Sequence, residues 1–412
     1  MHDPLSHATQ PTGVGNTDLR RHNLSQVLKV VYAAGSATRV RIAESTGLTK
    51  TAVGGLAAQL IQYGLLEEDA AIAGRVGRPS PPLRFAGHHF TGACIEIRGS
   101  AIESIVTDLN GNPLTHRQDP IRLPSDQAPL DLVIAHAHAA HQHAVAAGKP
   151  LLGIALAVHG AVDPHTGRIL FAPRLDWDNL DLHAAVTSQL PDAIPVIVDH
   201  DANLAAVAET AHQRNTTTEN LVSISSDLGI GAGIVIAGKI YRGSHGYAAE
   251  LGHMLLDPDG PACVCGRQGC WSALIGLRTV LREALPGTAA ELERIRGYEA
   301  AGQSALAAAA DTGDEATLAA LEHAGTWLGL GAANIANMLD PDRIIIGGYL
   351  AHLSRWVMPA AYKAFTTQTL RPARPETTLL VSKLGDTRAL HGGIHLLRTR
   401  LLNDPYQALT TA

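Results

Sequence analysis

The hydrophobic spacing near the N-terminus predicts a compact helical motif. Between residues 23 and 34, apolar side chains recur three and four positions apart, which is the spacing of one helix face, and Gly35 and Ser36 then end the helix. A second helix is predicted over RVRIAEST and a third over TAVGGLAAQLIQYG, with the turn GLT between them. Two helices joined by so short a turn form a helix-turn-helix. The apolar positions of the first helix are Leu24, Val27, Leu28, Val31 and Tyr32.

The third helix is the element of this motif that would face DNA. Thr49 is a suitable N-cap and leaves Thr49, Lys50 and Thr51 at the helix end that DNA-binding proteins insert into the major groove. Arg39, at the start of the preceding helix, is a further candidate DNA contact. The GG pair at positions 54 and 55 costs about 1 kcal/mol per glycine relative to alanine. We therefore expect either another backbone close to this helix or a helix that becomes ordered on binding.

A two-stranded wing is predicted after this helix, over AAIAGRVGRPSPPLRF. Its tip holds Arg75 and Arg78 among glycine and proline residues. Arginine at such a tip suits the narrow minor groove of DNA, where the negative potential is strongest. The favoured interpretation is a winged helix-turn-helix that binds DNA. The alternative is a helical module that contacts another protein and carries a solvated loop.

Beyond about Gly87, short apolar strands alternate with helices. Paired strands are predicted over TGACIEI and SAIESIVTDL, followed by a hairpin through NG, a helix over 130–147, and strands in LLGIALAVHGAV and IPVIVDHD. The same plan then repeats, with strands on either side of residues 229–233, helices over much of 273–340, and a late strand in DRIIIGG. A duplicated α/β arrangement predicts two lobes with a ligand-binding cleft between them.

Composition adds an asymmetry of charge between the two ends of the chain. Residues 20–84 contain nine Lys and Arg against four Asp and Glu, a net +5, so the remainder carries −6 − 5 = −11. A basic module on an acidic body indicates that one segment meets a polyanion. The chain has no run of eighteen apolar residues and no signal-peptide pattern near its N-terminus, so we expect a cytoplasmic protein with no membrane partner.

Three of the four cysteines cluster in ELGHMLLDPDGPACVCGRQGC. His253, Cys263, Cys265 and Cys270 supply one imidazole and three thiolates, the soft tetrahedral set preferred by structural Zn²⁺. Gly266 and Gly269 allow tight turns between the ligands. We predict one structural zinc ion per chain, and free thiols of a reduced protein are the alternative.

A second histidine-rich stretch, AHAHAAHQH, holds four histidines within the predicted helix over 130–147. On a helix only His138 with His141, and His136 with His143, share a face. We therefore expect a solvated helix face here and no metal site.

Taken in order, several segments resemble the ROK family of repressors, open reading frames and sugar kinases. The most specific are YRGSHGYAAELGHM and CVCGRQGC, and IVDHDANLAAVAE, GIGAGIVIAGKIYRG and LDPDRIIIGG match other family segments. The resemblance covers nearly the whole chain. It implies a two-lobed, actin-like (sugar-kinase, RNase H-like) body. With the winged helix attached, it places the chain among the family's transcriptional repressors.

The resemblance also assigns roles to residues in the body. Asp201 matches the general base of the kinases, while Glu250 and His253 match residues that bind sugar hydroxyls. His200 stands where the family has Asn, and Ser272 stands where it usually has Glu. The kinases carry Asp-x-Gly-Gly-Thr in the first hairpin to approach ATP phosphates, whereas this chain has EIRGS at 96–100. Arg98 places a side chain where a phosphate should approach the backbone, so we predict no kinase activity.

These inferences combine into one expected organisation. We predict a disordered leader over 1–18, a winged helix-turn-helix over 19–86, one lobe over 87–200, and a second lobe over 201–412 with the zinc loop and an effector site at the cleft. The expected effector residues are His200, Asp201, Glu250 and His253. The expected protein is a bacterial repressor of carbohydrate-related genes, a homodimer or a tetramer on double-stranded operator DNA in the nucleoid. Alternatives are a sugar kinase and a regulator controlled by a partner protein.

Overall fold

The computed structural model describes residues 16–69, 81–98, 101–121, 129–172, 175–191, 194–213, 218–292, 298–370 and 377–406. Its contacts divide the chain into two compact units, one of residues 1–90 with 398–412 and the other of 91–397. The sequence placed 398–412 in the second lobe of the body, whereas the contacts group them with the first unit. Within that unit, Ser25 Oγ donates to the Leu402 carbonyl at 2.8 Å, and Arg21 pairs with Asp404 at 2.6 Å.

The first unit has the element order expected of a winged helix. It comprises α1 (Asn16–Ala34), β1 (Ser36–Ala37), α2 (Arg39–Thr46), α3 (Lys50–Gln62), β2 (Leu66–Glu68) and β3 (Leu83–Phe85). The strands form an antiparallel sheet in the order β1-β3-β2. Helix α1 begins at Asn16, earlier than the apolar spacing indicates. The wing tip with Arg75 and Arg78 lies outside the described residues.

Local chemistry explains where the helices of this motif begin and end. Thr38 caps α2 by accepting the Arg41 amide, and Thr49 caps α3 by accepting the Ala52 amide. Gly47 ends α2 at φ 73°, a left-handed conformation that glycine adopts without strain. The apolar face predicted for α1 is buried, together with the inward faces of α2 and α3. The fully buried positions include Leu24, Val27, Leu28, Val31, Ile42, Val53 and Leu60.

The body opens with a five-stranded sheet. Its elements are β4 (Thr91–Ile97), β5 (Ala101–Asp108), β6 (Pro113–Pro120), α4 (Pro129–Ala146), β7 (Leu151–Val158), β8 (Ala161–Val162), β9 (Ile169–Ala172), β10 (Trp177–Leu180), α5 (Leu182–Thr187) and β11 (Val196–His200). The strand order is β11-β7-β4-β5-β6, and β8, β9 and β10 form a small separate sheet. Strands β4, β5 and β6 pair antiparallel, whereas β7 and β11 run parallel to β4.

The second half repeats this sheet. It contains α6 (Asp201–His212), β12 (Leu221–Ser226), β13 (Ile230–Ile236), β14 (Lys239–Ile240), α7 (Trp271–Ile275), α8 (Leu277–Ala284), α9 (Pro286–Leu292), α10 (Tyr298–Asp311), α11 (Glu315–Leu339), β15 (Arg343–Gly348), α12 (Tyr349–His352), α13 (Ser354–Gln368), β16 (Thr378–Val381) and α14 (Arg388–Asn403). The strand order is β14-β13-β12-β15-β16, again with an antiparallel meander on one side and parallel strands on the other. The predicted duplication is confirmed.

Helix α6 connects the end of the first sheet to the face of the second. A Cβ at Gly233 of β13 would lie 2.4 Å from the Ala202 carbonyl, so glycine is what allows this helix to approach the strand. Asp201, the first residue of α6, therefore stands where the two halves of the body meet. Among the described residues, no helix is both long enough and apolar enough to cross a membrane.

The structure corrects the interpretation of the histidine-rich helix. His136 of α4 is fully buried, and its Nδ1 lies 2.7 Å from Ser104 Oγ while its Nε2 lies 2.9 Å from Asp119. Burial lowers the pKa of His136, an effect that the nearby Arg117 reinforces. This histidine is a satisfied core residue, because α4 packs against the sheet along the face that carries it.

Candidate functional site

The cysteine-rich loop is fixed to the body at both ends. The short 3₁₀ helix Leu251–His253 lies against β13, where a Cβ at Gly252 would meet the Ile230 carbonyl at 1.9 Å. Cys270 is the N-cap residue of α7, and Trp271 beside it is fully buried with its indole N–H donating to the Trp327 carbonyl at 3.0 Å. The loop between these anchors is therefore held in a defined conformation.

The four predicted metal ligands converge in this loop. One ligand atom from each of His253, Cys263, Cys265 and Cys270 lies within 4.8 Å of the others. The Sγ atoms of Cys265 and Cys270 are 3.7 Å apart, as are Cys263 Sγ and His253 Nδ1. A tetrahedral ion with Zn–S bonds of about 2.3 Å requires an S–S separation of roughly 3.8 Å. The loop residues thus fit a zinc ion.

The turns in the loop depend on the glycines that the sequence singled out. Gly266 has φ +85° and Gly269 has φ +67°. A Cβ at Gly269 would lie 1.6 Å from the Asp257 carbonyl, so only glycine fits there. Arg267, which lies between these two glycines, favours the thiolate form of Cys265. Burial opposes ionisation of Cys265, but the backbone and side chain of Arg267 lower the pKa of this thiol to about 7.

Asp201 lies at the carboxyl end of the first sheet. It follows His200, the last residue of β11, and its Oδ1 accepts the amide of Ala202 at 2.6 Å. Two imidazoles flank its carboxylate. His159 Nδ1 lies 3.2 Å from Oδ2, and His200 Nδ1 lies 3.1 Å from Oδ1. Burial opposes the charge of Asp201, yet these two histidines and the amide hold its pKa below the ordinary range.

A second buried carboxylate stands beside this group. Asp199 accepts hydrogen bonds from the His200 amide at 2.9 Å and from Asn203 Nδ2 at 2.9 Å. It also forms an ion pair with Arg242, from the segment that follows β14. These contacts order the start of α6, and with it Asp201.

The other predicted effector residues lie on the zinc-loop side. Glu250 is partly buried and directly precedes the 3₁₀ helix that carries His253. The structure thus brings His200 together with Asp201, and His253 together with the cysteines. Ser272, at the position where the family usually has Glu, accepts the Ile230 amide at 2.9 Å and so ties α7 to β13.

The hairpin that would approach ATP phosphates instead holds a network of ion pairs. Arg98 Nη2 lies 2.9 Å from Glu96 and 3.4 Å from Glu103, and it donates to the Asp386 carbonyl at 2.5 Å. Burial raises the pKa of Glu96 to about 7, an effect that Arg98 partly offsets. Residues 99–100 of this hairpin lie outside the described residues.

An open pocket adjoins this network. It also contains Arg388, which lies 3.3 Å from Ser225 Oγ and is almost fully buried. The guanidinium of Arg388 covers Gly347, where a Cβ would lie 1.9 Å from its Cζ. Two arginines and four carboxylates thus line the pocket. This excess of negative charge repels a polyphosphate. The lining residues that carry charge are Glu96, Arg98, Asp201, Asp227, Asp386 and Arg388.

The candidate DNA-binding face lies at the start of α3. Thr49, Lys50 and Thr51 are exposed there. Arg39 is instead committed to an ion pair with Glu68 at 2.8 Å, and it donates to the Pro81 carbonyl at 3.2 Å. A Cβ at Gly54 or Gly55 would meet no atom of the described residues within 4 Å, so no backbone in the described part of the chain accounts for this glycine pair.

Sequence reasoning missed His159, Arg242 and Arg388. His159 could have been found, because it follows the buried strand β7 as His200 ends the parallel strand β11, and the ends of adjacent parallel strands lie together. Arg242 and Arg388 come from segments distant in sequence from their partners, and no spacing links them.

The fold and the site define a class of protein: a two-lobed body of the sugar-kinase type joined to an N-terminal helix-turn-helix. The sequence model of the ROK family matches residues 92–400. The chain belongs to the ROK family.

Individual relatives divide according to how much of the chain they match. The Xylose repressor of Bacillus subtilis is 26% identical over 90% of this chain and 93% of its own. A Glucokinase of Streptomyces coelicolor is 30% identical over 74% of this chain and 96% of its own. The crystal structure of a ROK family transcriptional regulator, a homolog of the E. coli MLC protein, superposes with a TM-score of 0.79 at 23% identity, covering 95% of this chain and 99% of that one.

Proposed function

We propose that this protein is a DNA-binding transcriptional repressor of carbohydrate-related genes, controlled by a sugar or sugar derivative bound in the body. The observation that carries the proposal is the extent of the matches. The repressor and the regulator align with both units of this chain. The glucokinase aligns over 96% of its own length but matches 74% of this chain. The quarter of this chain that the glucokinase does not match is about as long as the winged-helix unit.

The first unit binds operator DNA through α3. Thr49, Lys50 and Thr51 form the end that enters the major groove, and the wing with Arg75 and Arg78 reaches the minor groove. Arg39 supports the wing through Glu68. A single winged helix contacts few base pairs, so the protein acts as a homodimer on a palindromic operator, and a tetramer would join two such sites.

The second unit binds the effector between its two lobes, residues 91–200 and 201–397. Asp201 and His200 contact sugar hydroxyls from the start of α6, and Glu250 and His253 contact them from the zinc-loop side. A charged carboxylate is a strong acceptor for hydroxyl groups, and it needs no phosphate donor to act in binding. The effector must favour one arrangement of the lobes, since a ligand that binds both arrangements equally shifts nothing.

Phosphotransfer is not part of this function. Arg98 is tied to Glu96, Glu103 and the Asp386 carbonyl at the hairpin where phosphates would lie. A nucleotide would have to displace this arginine and approach several carboxylates. A sugar kinase is the second candidate, favoured by the intact Asp201 and by the glucokinase match.

One structural zinc ion per chain holds the loop. Its ligands are His253 and the three clustered cysteines, whose spacing suits a tetrahedral ion. Because His253 belongs to both the zinc set and the proposed effector set, the ion positions the loop that contacts the effector. The protein works in the bacterial cytoplasm, on the nucleoid when it is bound to DNA.

The function is tested by coupling the two sites in one assay. The full-length protein is bound to fluorescent operator DNA selected from random sequence, and sugars and sugar phosphates are screened for release of the DNA. A coupled assay with ATP and the same panel measures phosphorylation. Release by one sugar without phosphorylation supports the proposal. ATP-dependent phosphorylation, or no selected DNA at all, would contradict it.

A further inference from the structure

The histidines at the end of the first sheet form a cluster apart from the zinc loop. Strands β7 and β11 are adjacent and parallel, and their register pairs Val158 with His200. His159 follows Val158 directly, so the two imidazoles emerge at the same edge of the sheet. Asp201 opens α6 at that edge. Three metal-ligating side chains are thus placed together by backbone elements that packing holds in position.

The distances within this cluster suit a bound ion. The two oxygens of Asp201 each face one imidazole, at 3.2 Å for His159 Nδ1 and 3.1 Å for His200 Nδ1. One ligand atom from each of the three residues lies within 4.8 Å of the others. Bonds of roughly 2.0–2.2 Å to nitrogen and oxygen place neighbouring ligand atoms about 3–3.5 Å apart. Coordination through His200 Nδ1 replaces its 3.1 Å contact with the Ala202 amide, which Asp201 Oδ1 also accepts at 2.6 Å, so small side-chain movements suffice to place one ion.

The chemistry of the set and its exposure indicate which ion would bind. Two imidazoles with one carboxylate suit divalent transition metals and leave coordination positions open. The His159 side chain is 32% exposed, whereas those of His200 and Asp201 are 15% and 12% exposed. Solvent therefore reaches the cluster mainly from the His159 side.

We infer that His159, His200 and Asp201 form a second metal site, for a divalent transition-metal ion, distinct from the cysteine site. The open positions of this ion take two neighbouring oxygen atoms of the effector, such as vicinal hydroxyls. The role of the ion rests on the proposed function, which it deepens: the ion adds its own contacts to those that Asp201 and His200 make with the effector. The site itself stands on the geometry alone.

Metal binding is tested first with cobalt and with no effector. Full-length protein with its cysteine site filled by zinc is titrated with Co²⁺, followed by calorimetry and absorption spectroscopy. We expect about one further equivalent to bind, without the near-ultraviolet charge-transfer band that cobalt bound to thiolates would show. Absence of a further equivalent would overturn the site.

Substitutions locate the added ion. His159→Ala and His200→Asn should each weaken cobalt binding by about tenfold or more. The His200 side chain caps α6 by accepting the Ala202 amide, and asparagine can also cap a helix, so the second variant removes the imidazole without removing the cap. His165→Ala is the matched control, because His165 is an exposed histidine on the turn between β8 and β9. Unchanged cobalt affinity in both site variants would contradict the assignment, as would equal loss in the control.

The role of the ion is tested by effector affinity. Protein that holds only the cysteine-bound zinc is compared with protein that also carries the second ion, using a sugar that releases the operator. Tighter sugar binding with the second ion, lost in His159→Ala, supports the inference. Equal affinity with and without the ion would refute the metal's role while leaving the proposed function intact. If no sugar releases the operator from either form, the proposed function fails and the cobalt titration still decides the site.

Discussion

Arg98 and Glu96 form an ion pair, with Nη2 and Oε2 separated by 2.9 Å, in a hairpin that would hold phosphates in a kinase of this fold. The Glu96 side chain is 7% exposed, so its negative charge depends on Arg98. Glu96 shares this partner with Glu103. The Arg98 side chain occupies this hairpin and is itself held by Glu96, Glu103 and the Asp386 carbonyl. The burial of Glu96 gives this ion pair a measurable consequence, the pH dependence of stability.

Glu96→Gln should flatten that pH dependence. The folded-state pKa of Glu96 is about 7 against an ordinary 4.5, so the folded protein binds the proton more tightly and its free energy of unfolding falls as pH rises through this window. Between about pH 5 and pH 8, the wild type should lose up to about 3 kcal/mol that the variant retains. Urea unfolding at both pH values measures this. Glu322→Gln, an exposed carboxyl on α11, is the control, and parallel curves for wild type and Glu96→Gln would contradict the assignment.

Alanine substitution should have opposite effects on stability at two glycines of the helix-turn-helix, one inside α3 and one at the end of α2. Gly55 has open space around its Cβ position, so Gly55→Ala should stabilise the first unit by up to about 1 kcal/mol. Gly47 has φ +73°, so Gly47→Ala should destabilise it by about 1 kcal/mol. Thermal unfolding of both variants tests the pair. Destabilisation by Gly55→Ala would mean that a neighbouring backbone occupies the space that is open in this structure.

Lys50→Ala should weaken operator binding while stability stays unchanged. If Lys50 contacts a base, the loss is about 1–3 kcal/mol, and if it contacts a phosphate, the salt dependence of affinity becomes shallower. Gel shifts at two salt concentrations distinguish these outcomes. Lys239→Ala, an exposed lysine of the body, is the control. Equal affinity and equal salt slope for both variants would exclude the start of α3 from the DNA interface.

Cys265→Ser should remove the cysteine-bound zinc, which elemental analysis of purified protein should show at about one ion per chain in the wild type. The loop between Leu251 and Cys270 should then become accessible to protease, because the ion supplies its cross-link. Cys94→Ser is the matched control, since Cys94 is buried in the body away from the loop. Full zinc content in Cys265→Ser would show that the ligands are misassigned.

Much of the fold follows from local sequence rules. The spacing of Leu24, Val27 and Leu28 predicts α1, Thr49 predicts the cap of α3, and the repeated strands predict the two sheets. The predicted start of α1 is too late, because Leu19 alone among residues 16–22 is apolar and one apolar position gives no helical spacing. The grouping of 398–412 with the first unit depends on contacts such as that of Ser25 with Leu402, which no local pattern encodes.

The candidate sites were predictable to different degrees. The predicted zinc ligands are close in sequence, so spacing alone identifies the set that the structure brings together. His136 was misinterpreted because helical spacing cannot show which face packs against Ser104. Arg98 was recognised by its position, whereas its partners Glu103 and Asp386 become visible only when the chain folds.

The most direct test of a regulator that binds its effector without phosphorylating it is operator release by sugar in the wild type and in Asp201→Asn. Loss of one hydrogen bond to a charged group should cost about 1.5–3 kcal/mol of effector affinity, roughly tenfold or more. We predict that Asp201→Asn binds operator as the wild type does but needs at least about ten times more sugar for release. Operator release at the same sugar concentration in wild type and Asp201→Asn would contradict the account. ATP-dependent sugar phosphorylation by the wild type that this substitution abolishes would also contradict it.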